Sequence, residues 1–297
     1  MRRGMKRTLI INADDLGYTG GVNRAIARCC AGGTVRSATL MANGPAFDDA
    51  VALIKRGDIR NIGIHLSLTE LMPVSRPDEV PGLVDEHGFM PSGPGGLLVQ
   101  LQSGKVSSAA IRKELERQVE KVLDHGLAPT HLDSHKHVHI LPRVLEVTLE
   151  IAQKYSIRWI RYPFDGAPAR LMAPLVGRHH RATFCKQHIK VVLSRVLRPA
   201  FISRVRRSNL RTVDHFCGVS LTGIWNEIMV HRLIEQLPPG LNEWMIHPGN
   251  CDGELRQRQT RLLEQREQER DIFSSNALRE LFAKHDVILA GYGEIVT

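Results

Sequence analysis

The feature that most constrains this chain is an alternation of strand-like and helix-like segments, repeated about eight times along its length. RTLIINADD (7–15) reads as a buried strand ending in two carboxylates, and GGVNRAIARCCAGG follows with helical spacing and a glycine stop. The pattern continues through the strands SATLMANG, NIGIHLSL, IRWIRYPF, TVDHFCGV, NEWMIHPG and DVILAGYG. Between them lie the helical stretches AFDDAVALIKRGD, SSAAIRKELERQVEKVLDHG, LPRVLEVTLEIAQKY, NEIMVHRLIEQL and a charged run from LLEQREQER to LFAKH. Such alternation implies a parallel sheet with helices packed outside it. At 297 residues the leading expectation is an α/β fold, an irregular, TIM-barrel-like (β/α) barrel of seven or eight strands. An open doubly wound sheet is the alternative, but no G-x-G-x-x-G follows the first strand. The chain reads as one catalytic domain over 1–297, with a Pro/Gly/Ser-rich loop insertion at about 71–104 and a basic helical insertion at about 166–212.

Apolar residues make up 42% of the chain, enough for a real core, and no apolar run approaches the ~20 residues of a membrane span. The first apolar run is too short for the h-region of a signal peptide, so a cytoplasmic location is expected. The first four residues read as a dispensable extension. Five cysteines without a C-x-x-C pair argue against a disulfide framework or a zinc knuckle. The net charge of +9 belongs to one segment: eleven Lys and Arg and no acid lie between Asp165 and Asp214.

Polar residues fall at the expected strand ends. NADDLG carries Asp14 and Asp15. Two adjacent carboxylates repel, so burying both requires a cation or a proton between them. At a strand end the backbone can turn both toward one site, with one binding metal and the other taking a proton from water. The plainer reading is that Asp14 caps the next helix while Asp15 faces solvent. GIHL puts His65 inside an apolar strand, where a backbone carbonyl would ordinarily satisfy it. THLDSHKHVH holds four of the fourteen histidines in ten residues. If it stays extended, Asp133, His135, His137 and His139 share one face. One histidine from this run, one from GIHL and one aspartate would make a two-His, one-carboxylate set, suited to Zn, Mn, Co or Fe(II). His137 and His139 are then left to orient ligands or contact substrate, and Arg161 in the following strand is grouped with them as a substrate contact. EWMIHPG sets His247 at a strand end, as a general-acid candidate or a structural residue.

NADDLG, GIHLSL, THLDSHKHVH, DHFCG and EWMIHPG, in this order from Asn12 to Gly249, resemble the signature series of the YdjC-like carbohydrate deacetylases. That family includes chito-oligosaccharide and hopanoid-associated deacetylases. The resemblance implies an irregular (β/α) barrel, a divalent metal and hydrolysis of an N-acetyl group on a sugar. Carried over by position, it implies Asp15, His65 and His135 as metal ligands, Asp14 as base and His247 as acid. Mg or Zn leads as the ion, with Mn or Co as further choices. Residues 166–212 match no motif of the family.

Amide hydrolysis needs an activated water, a stabilised oxyanion and a proton for the leaving amine, and no G-x-S-x-G nucleophile elbow is present. The implied substrate is an N-acetylated sugar, free or lipid-linked. In the basic segment, Ile189, Val192, Leu193, Val196 and Leu197 follow i, i+3, i+4, i+7, i+8 spacing. One reading is an outer barrel helix that buries this stripe and solvates its basic face. Another is peripheral contact with an anionic membrane through residues 184–211, at the inner membrane surface. Nucleic acid is not an expected partner, because few aromatics are available to stack on bases. A non-haem iron oxygenase on the same ligand set and a non-catalytic lipid-binding barrel are the competing functions. The sequence leaves the oligomeric state open.

Overall fold

A computed structural model describes residues 6–295, so the expected extension at residues 1–4 lies outside the described residues. β1 (Arg7–Leu16) leads into α1 (Gly20–Ala31), whose start is fixed by Thr19, its hydroxyl accepting from the Val22 amide at 3.1 Å. β2 (Ser37–Leu40), α2 (Phe47–Arg56) and β3 (Ile62–Leu66) follow. After β3 come α3 (Pro94–Gln102), α4 (Ser108–Asp124), β4 (His131–Ser134), α5 (Pro142–Lys154) and β5 (Trp159–Ile160). The basic segment forms α6 (Ala169–Met172), α7 (Arg181–Ser194) and α8 (Arg198–Arg207). β6 (His215–Cys217), α9 (Glu227–Glu235), β7 (Gly240–Ile246), α10 (Gly253–Arg256), α11 (Glu264–Phe273), α12 (Asn276–Lys284) and β8 (Val287–Leu289) complete the order.

Every strand pairing is parallel, in the order β5-β4-β3-β2-β1-β7-β6, with β8 beside β1. β1 is buried from Leu9 to Leu16, as a central parallel strand covered on both faces must be. One of its edges pairs with β7 from Arg7 to Ala13. The other is shared, with β8 against Arg7–Leu9 and β2 from Asn12 onward. The two ends of the path curl toward each other. Ile160 N donates to Arg211 O at 3.0 Å, and Gly166 N to Phe216 O at 2.8 Å, so the chain leaving β5 meets the approach to β6. The result is the curled, barrel-like α/β sheet expected, with its strand ends gathered on one side.

Three segments differ from the sequence reading. The insertion at 71–104 contains a helix, α3, and is not all loop. It is pinned to α4 by buried Glu114, which accepts from the amides of Val74 at 2.8 Å and Ser75 at 2.9 Å. The strand in IRWIRYPF shrinks to Trp159–Ile160. THLDSHKHVH leaves the strand after Ser134, with Lys136 and His137 in the left-handed region at φ 54° and 56°, so the alternation expected through His139 ends there. All five cysteines are free, and among the described residues no helix is long and apolar enough to cross a membrane.

Candidate active site

Four strand ends build the site. Asp14 and Asp15 close β1, His65 lies near the end of β3, His135 follows β4 and His247 follows β7. The two aspartates reach one interior because the backbone turns. Asp15 adopts φ 67°, a left-handed conformation that aspartate tolerates better than most residues, and the β1–β2 register shifts between Ala13 and Leu16. Both side chains are buried, and Thr19, not Asp14, caps α1.

Asp15 Oδ1 lies 3.4 Å from His65 Nε2 and 3.2 Å from His135 Nδ1. Two ligands each about 2.1 Å from one ion at tetrahedral angles stand roughly 3.4 Å apart, so the spacing fits a shared divalent cation. Each group is anchored at its far end. His65 Nδ1 meets Asp133 Oδ1 at 2.7 Å, His135 Nε2 meets Glu70 Oε2 at 2.8 Å, and Asp15 Oδ2 accepts from Arg266 Nη2 at 2.6 Å. Such outer contacts fix tautomer and orientation in metal sites. Asp15 Oδ1, the atom aimed between the imidazoles, is buried and accepts no hydrogen bond. A bare carboxylate oxygen facing two ring nitrogens is what a cation would complete. Burial opposes ionisation of both partners, yet the opposite charges outweigh it. Arg266 and the imidazoles hold Asp15 well below the usual carboxylate range, and Asp133 and Asp15 push His65 up to about 10.

Beneath this trio lies a buried ionic cluster centred on Arg161. Its guanidinium clamps Asp14 with two 2.7 Å bonds, Nη1 to Oδ2 and Nη2 to Oδ1. Nη1 also reaches Asp133 Oδ2 at 2.5 Å, and Nε reaches Glu243 Oε1 at 2.8 Å. Asn12 Nδ2 donates to Asp14 Oδ1 at 2.9 Å, and Tyr292 Oη donates to Glu243 Oε2 at 2.6 Å. Burial, the largest influence on Asp14, is overcome by Arg161 and His65, which keep it ionised at any physiological pH. Glu243 loses the same contest, and burial lifts it to about 7.

Two expected substrate contacts are corrected by these positions. Arg161 is 0% exposed and all three of its nitrogens face carboxylates, so it cannot reach a ligand from solvent. It orients Asp14. His139 is also 0% exposed, its Nδ1 on Ser134 Oγ at 2.5 Å and its Nε2 on Arg161 O at 3.2 Å, and burial depresses it to about 3. It is a satisfied core histidine. His137 is half-buried with Nδ1 unpartnered, edge-on to Phe216, and remains near the site.

His247 is half-buried, and its Nδ1 has no partner. Burial outweighs the pull of Asp15 and Asp14 and lowers it to about 4. Its backbone amide donates to Glu269 Oε2 at 2.6 Å, while Gly223 N donates to Oε1 at 2.9 Å. Glu70, Asp133, Glu243, Arg266 and Glu269 escaped the sequence reading as site residues. For the last two a signal existed: Arg266 and Glu269 share a helical face with buried Ile272 and Phe273. Charge on the apolar stripe of a helix marks a buried polar contact.

The chain matches the family model described as "YdjC-like protein" over residues 8–284. A carbohydrate deacetylase of Mus musculus is 34% identical over 262 residues, covering 81% of this chain and 77% of that protein. One from Thermoanaerobacter pseudethanolicus is 27% identical over 285 residues, covering 96% and 97%. One from Geobacillus stearothermophilus is 42% identical over 153 residues, covering 52% and 59%. The crystal structure of a putative cellobiose-phosphate cleavage protein from Enterococcus faecalis V583 superposes with a TM-score of 0.74 at 24% identity, covering 98% of this chain and all of that one, which shows the shared fold. With a match running from the second residue of β1 to the end of α12, and through all four strand ends that carry the buried aspartates and histidines, the chain belongs to the YdjC-like protein family.

Proposed function

We propose that this protein is a divalent-metal-dependent hydrolase that removes the N-acetyl group from an amino sugar, either a chito-oligosaccharide or a lipid-linked N-acetylglucosamine. The observation that carries the reading is the convergence of Asp15, His65 and His135 within bonding geometry of one ion, beside a second carboxylate, Asp14. The relatives' description as carbohydrate deacetylases supports the reaction class. In this reading Asp15, His65 and His135 hold the ion, Zn or Mg, with Mn or Co able to replace it. Such an ion, when bound, acidifies water and polarises a carbonyl.

The chain's own groups do the rest. Arg161 fixes Asp14 and keeps it charged. Of the four acceptor positions on that carboxylate, Arg161 and Asn12 occupy three, leaving one on Oδ2 for the proton of the attacking water. His247 begins neutral, so it becomes an acid only after gaining a proton. The proton taken up at Asp14 is its source, and the departing amine is its destination. Glu269 fixes the His247 backbone, and His137 contacts the sugar. The test is an acetate-release screen on N-acetylglucosamine, chitobiose and N-acetylglucosaminyl lipids, with Mg, Mn, Co and Zn each added, while oxygen is monitored. Acetate release without oxygen consumption supports the hydrolase. Oxygen uptake without acetate would favour an oxygenase on the same ligands.

A further inference from the structure

The stripe Ile189, Val192, Leu193 and Val196, whose spacing suits a buried helix face, is exposed by 58, 49, 67 and 79%. α7 is anchored instead by Phe184, Gln187 and Val191, with Gln187 Nε2 donating to Thr222 O at 2.9 Å. At ~100° per residue, the exposed apolar residues of α7, together with exposed Ala182 and Cys185, fill one arc roughly opposite the anchored one, and Val196 follows in the turn just beyond the helix. Lys186 and Lys190 border this arc on one side and Arg181 on the other, and all three are exposed. The acid-free interval of eleven Lys and Arg surrounds it. Among the described residues no carboxylate lies within ion-pair distance of Arg178, Arg181, Lys186 or Lys190, while Arg204 meets Glu146 at 3.4 Å.

We infer that this face of α7 docks the protein on an anionic lipid bilayer. A lone apolar side chain on a surface needs no explanation, but four large ones in one arc, rimmed by unpaired cations, leave apolar area in water that an interface would remove. Charge complementarity selects the occupant. A second copy docked through the same patch would set its cations against these with no acid between them. Nucleic acid would meet the cations but gain nothing from an aliphatic stripe, and the aromatic Phe184 is buried. Aliphatic side chains entering the acyl boundary while Lys and Arg meet headgroup phosphates satisfy both features at once. The helix also stands at the catalytic end of the sheet. It packs on the loop carrying Thr222 and Gly223, whose amide holds Glu269 and through it His247.

The experiment is flotation of the full chain with phosphatidylcholine vesicles, with and without phosphatidylglycerol, at low and high salt. The expected result is flotation with the anionic vesicles at low salt and release at high salt. The exposed-face variant Ile189→Ser/Leu193→Ser/Val196→Ser should partition about tenfold or more weakly, with its thermal midpoint unchanged. An environment-sensitive fluorophore on Cys185, the one exposed cysteine, should shift to the blue on binding. Wild-type protein that stays with the lipid-free fraction at low salt overturns the inference. So does a triple variant that floats as well as wild type, or a dimer in solution that the same triple substitution dissolves. None of these readouts depends on the enzymatic reading.

Discussion

Replacing Asp14 with Asn separates the two adjacent aspartates by function. The side chain keeps its shape but loses its charge and one acceptor. Asp14 receives two 2.7 Å bonds from Arg161, and an amide can accept only one, because its NH2 would face the guanidinium donors. One charge-assisted bond is lost, about 1.5–3 kcal/mol. Arg161 keeps Asp133 as a counter-charge and Glu243 as a hydrogen-bond partner, so the cluster is not left with an unpaired cation. At roughly 2 °C per kcal/mol for a chain of this size, the thermal midpoint should fall by about 3–6 °C, which a folded protein survives. Metal content should stay at wild-type level, because Asp15, His65 and His135 are untouched. Acetate release should fall by about 10²–10⁴ in kcat, the usual worth of a general base. Asp15→Asn should do the reverse, losing metal first and activity as a consequence. The assay pairs steady-state acetate release with metal analysis of the same preparations. An Asp14→Asn enzyme that keeps its metal and at least a third of the wild-type kcat would refute the role of Asp14. Equal loss of metal in both variants would refute the division of labour.

His135→Ala removes one of the three ligands of the proposed metal site. Purified protein should retain less than about a tenth of an equivalent of metal, and full stoichiometry with full activity would remove His135 from the ligand set. Glu70→Gln leaves the shape of the Glu70–His135 contact but takes away its charge. A loss of about 10–100-fold in metal affinity is expected, read by competition with a chromophoric chelator, and an unchanged affinity would make Glu70 a bystander. The contribution of His139 to the stability of the chelator-treated protein should fall as pH drops from 7.5 to 5.5. His139 is held neutral by burial to about pH 3, so below about pH 6.5 the unfolded chain takes up a proton that the folded one refuses, at up to about 1.4 kcal/mol per pH unit. His65 does not mask this. Its raised value of about 10 gives stability that is complete below pH 6.5 and is lost only as pH rises toward 10. Glu243 and Glu269, lifted to about 7, act in the opposite direction, so the His139 contribution is read at the residue itself: an NMR titration in which the folded His139 ring takes up a proton between pH 7.5 and 5.5 would show that it is not buried as a neutral ring.

The strands and the position of each metal-ligand candidate were legible because they depend on local pattern. Apolar runs ending in Asp15 or His65 report a strand and its terminus together, while His135 is marked by the density of histidine around it. What holds those ligands was not legible, since the holders come from distant chain and look like ordinary surface charge. Glu70 sits in a loop without periodicity, and Arg266 in a helix, EQREQERDIF, where only its spacing from Ile272 and Phe273 sets the inward face apart from the other charges. The reading of His139 as a substrate contact failed for a local reason. Alternation in THLDSHKHVH predicts a face only while the chain stays extended, and two left-handed residues after Ser134 rotate Val138 and His139 into the core. The stripe on α7 shows the opposite error. Its spacing specifies a helix face, but spacing cannot say which of two apolar faces meets the protein body, and Phe184, Gln187 and Val191 take that position.

The two aspartates of NADDLG are chemically identical and one peptide apart, so the different roles proposed for them cannot lie in the dipeptide. They lie in the arginine each one faces. Arg161 takes both oxygens of Asp14 from below and holds them against Asn12 and the neighbouring Asp133. Arg266 takes only Oδ2 of Asp15, from α11, and leaves Oδ1 bare between two imidazoles. A bidentate clamp gives a carboxylate that is fixed, charged and unable to swing onto an ion. A monodentate one gives a carboxylate with a free oxygen of set direction. Burial prevails at Glu243, pushed up to about 7 with a smaller push from Asp14, and is overcome at Asp14. Each aspartate stays ionised beside its own arginine, which lets a repelling pair persist at the end of one buried strand.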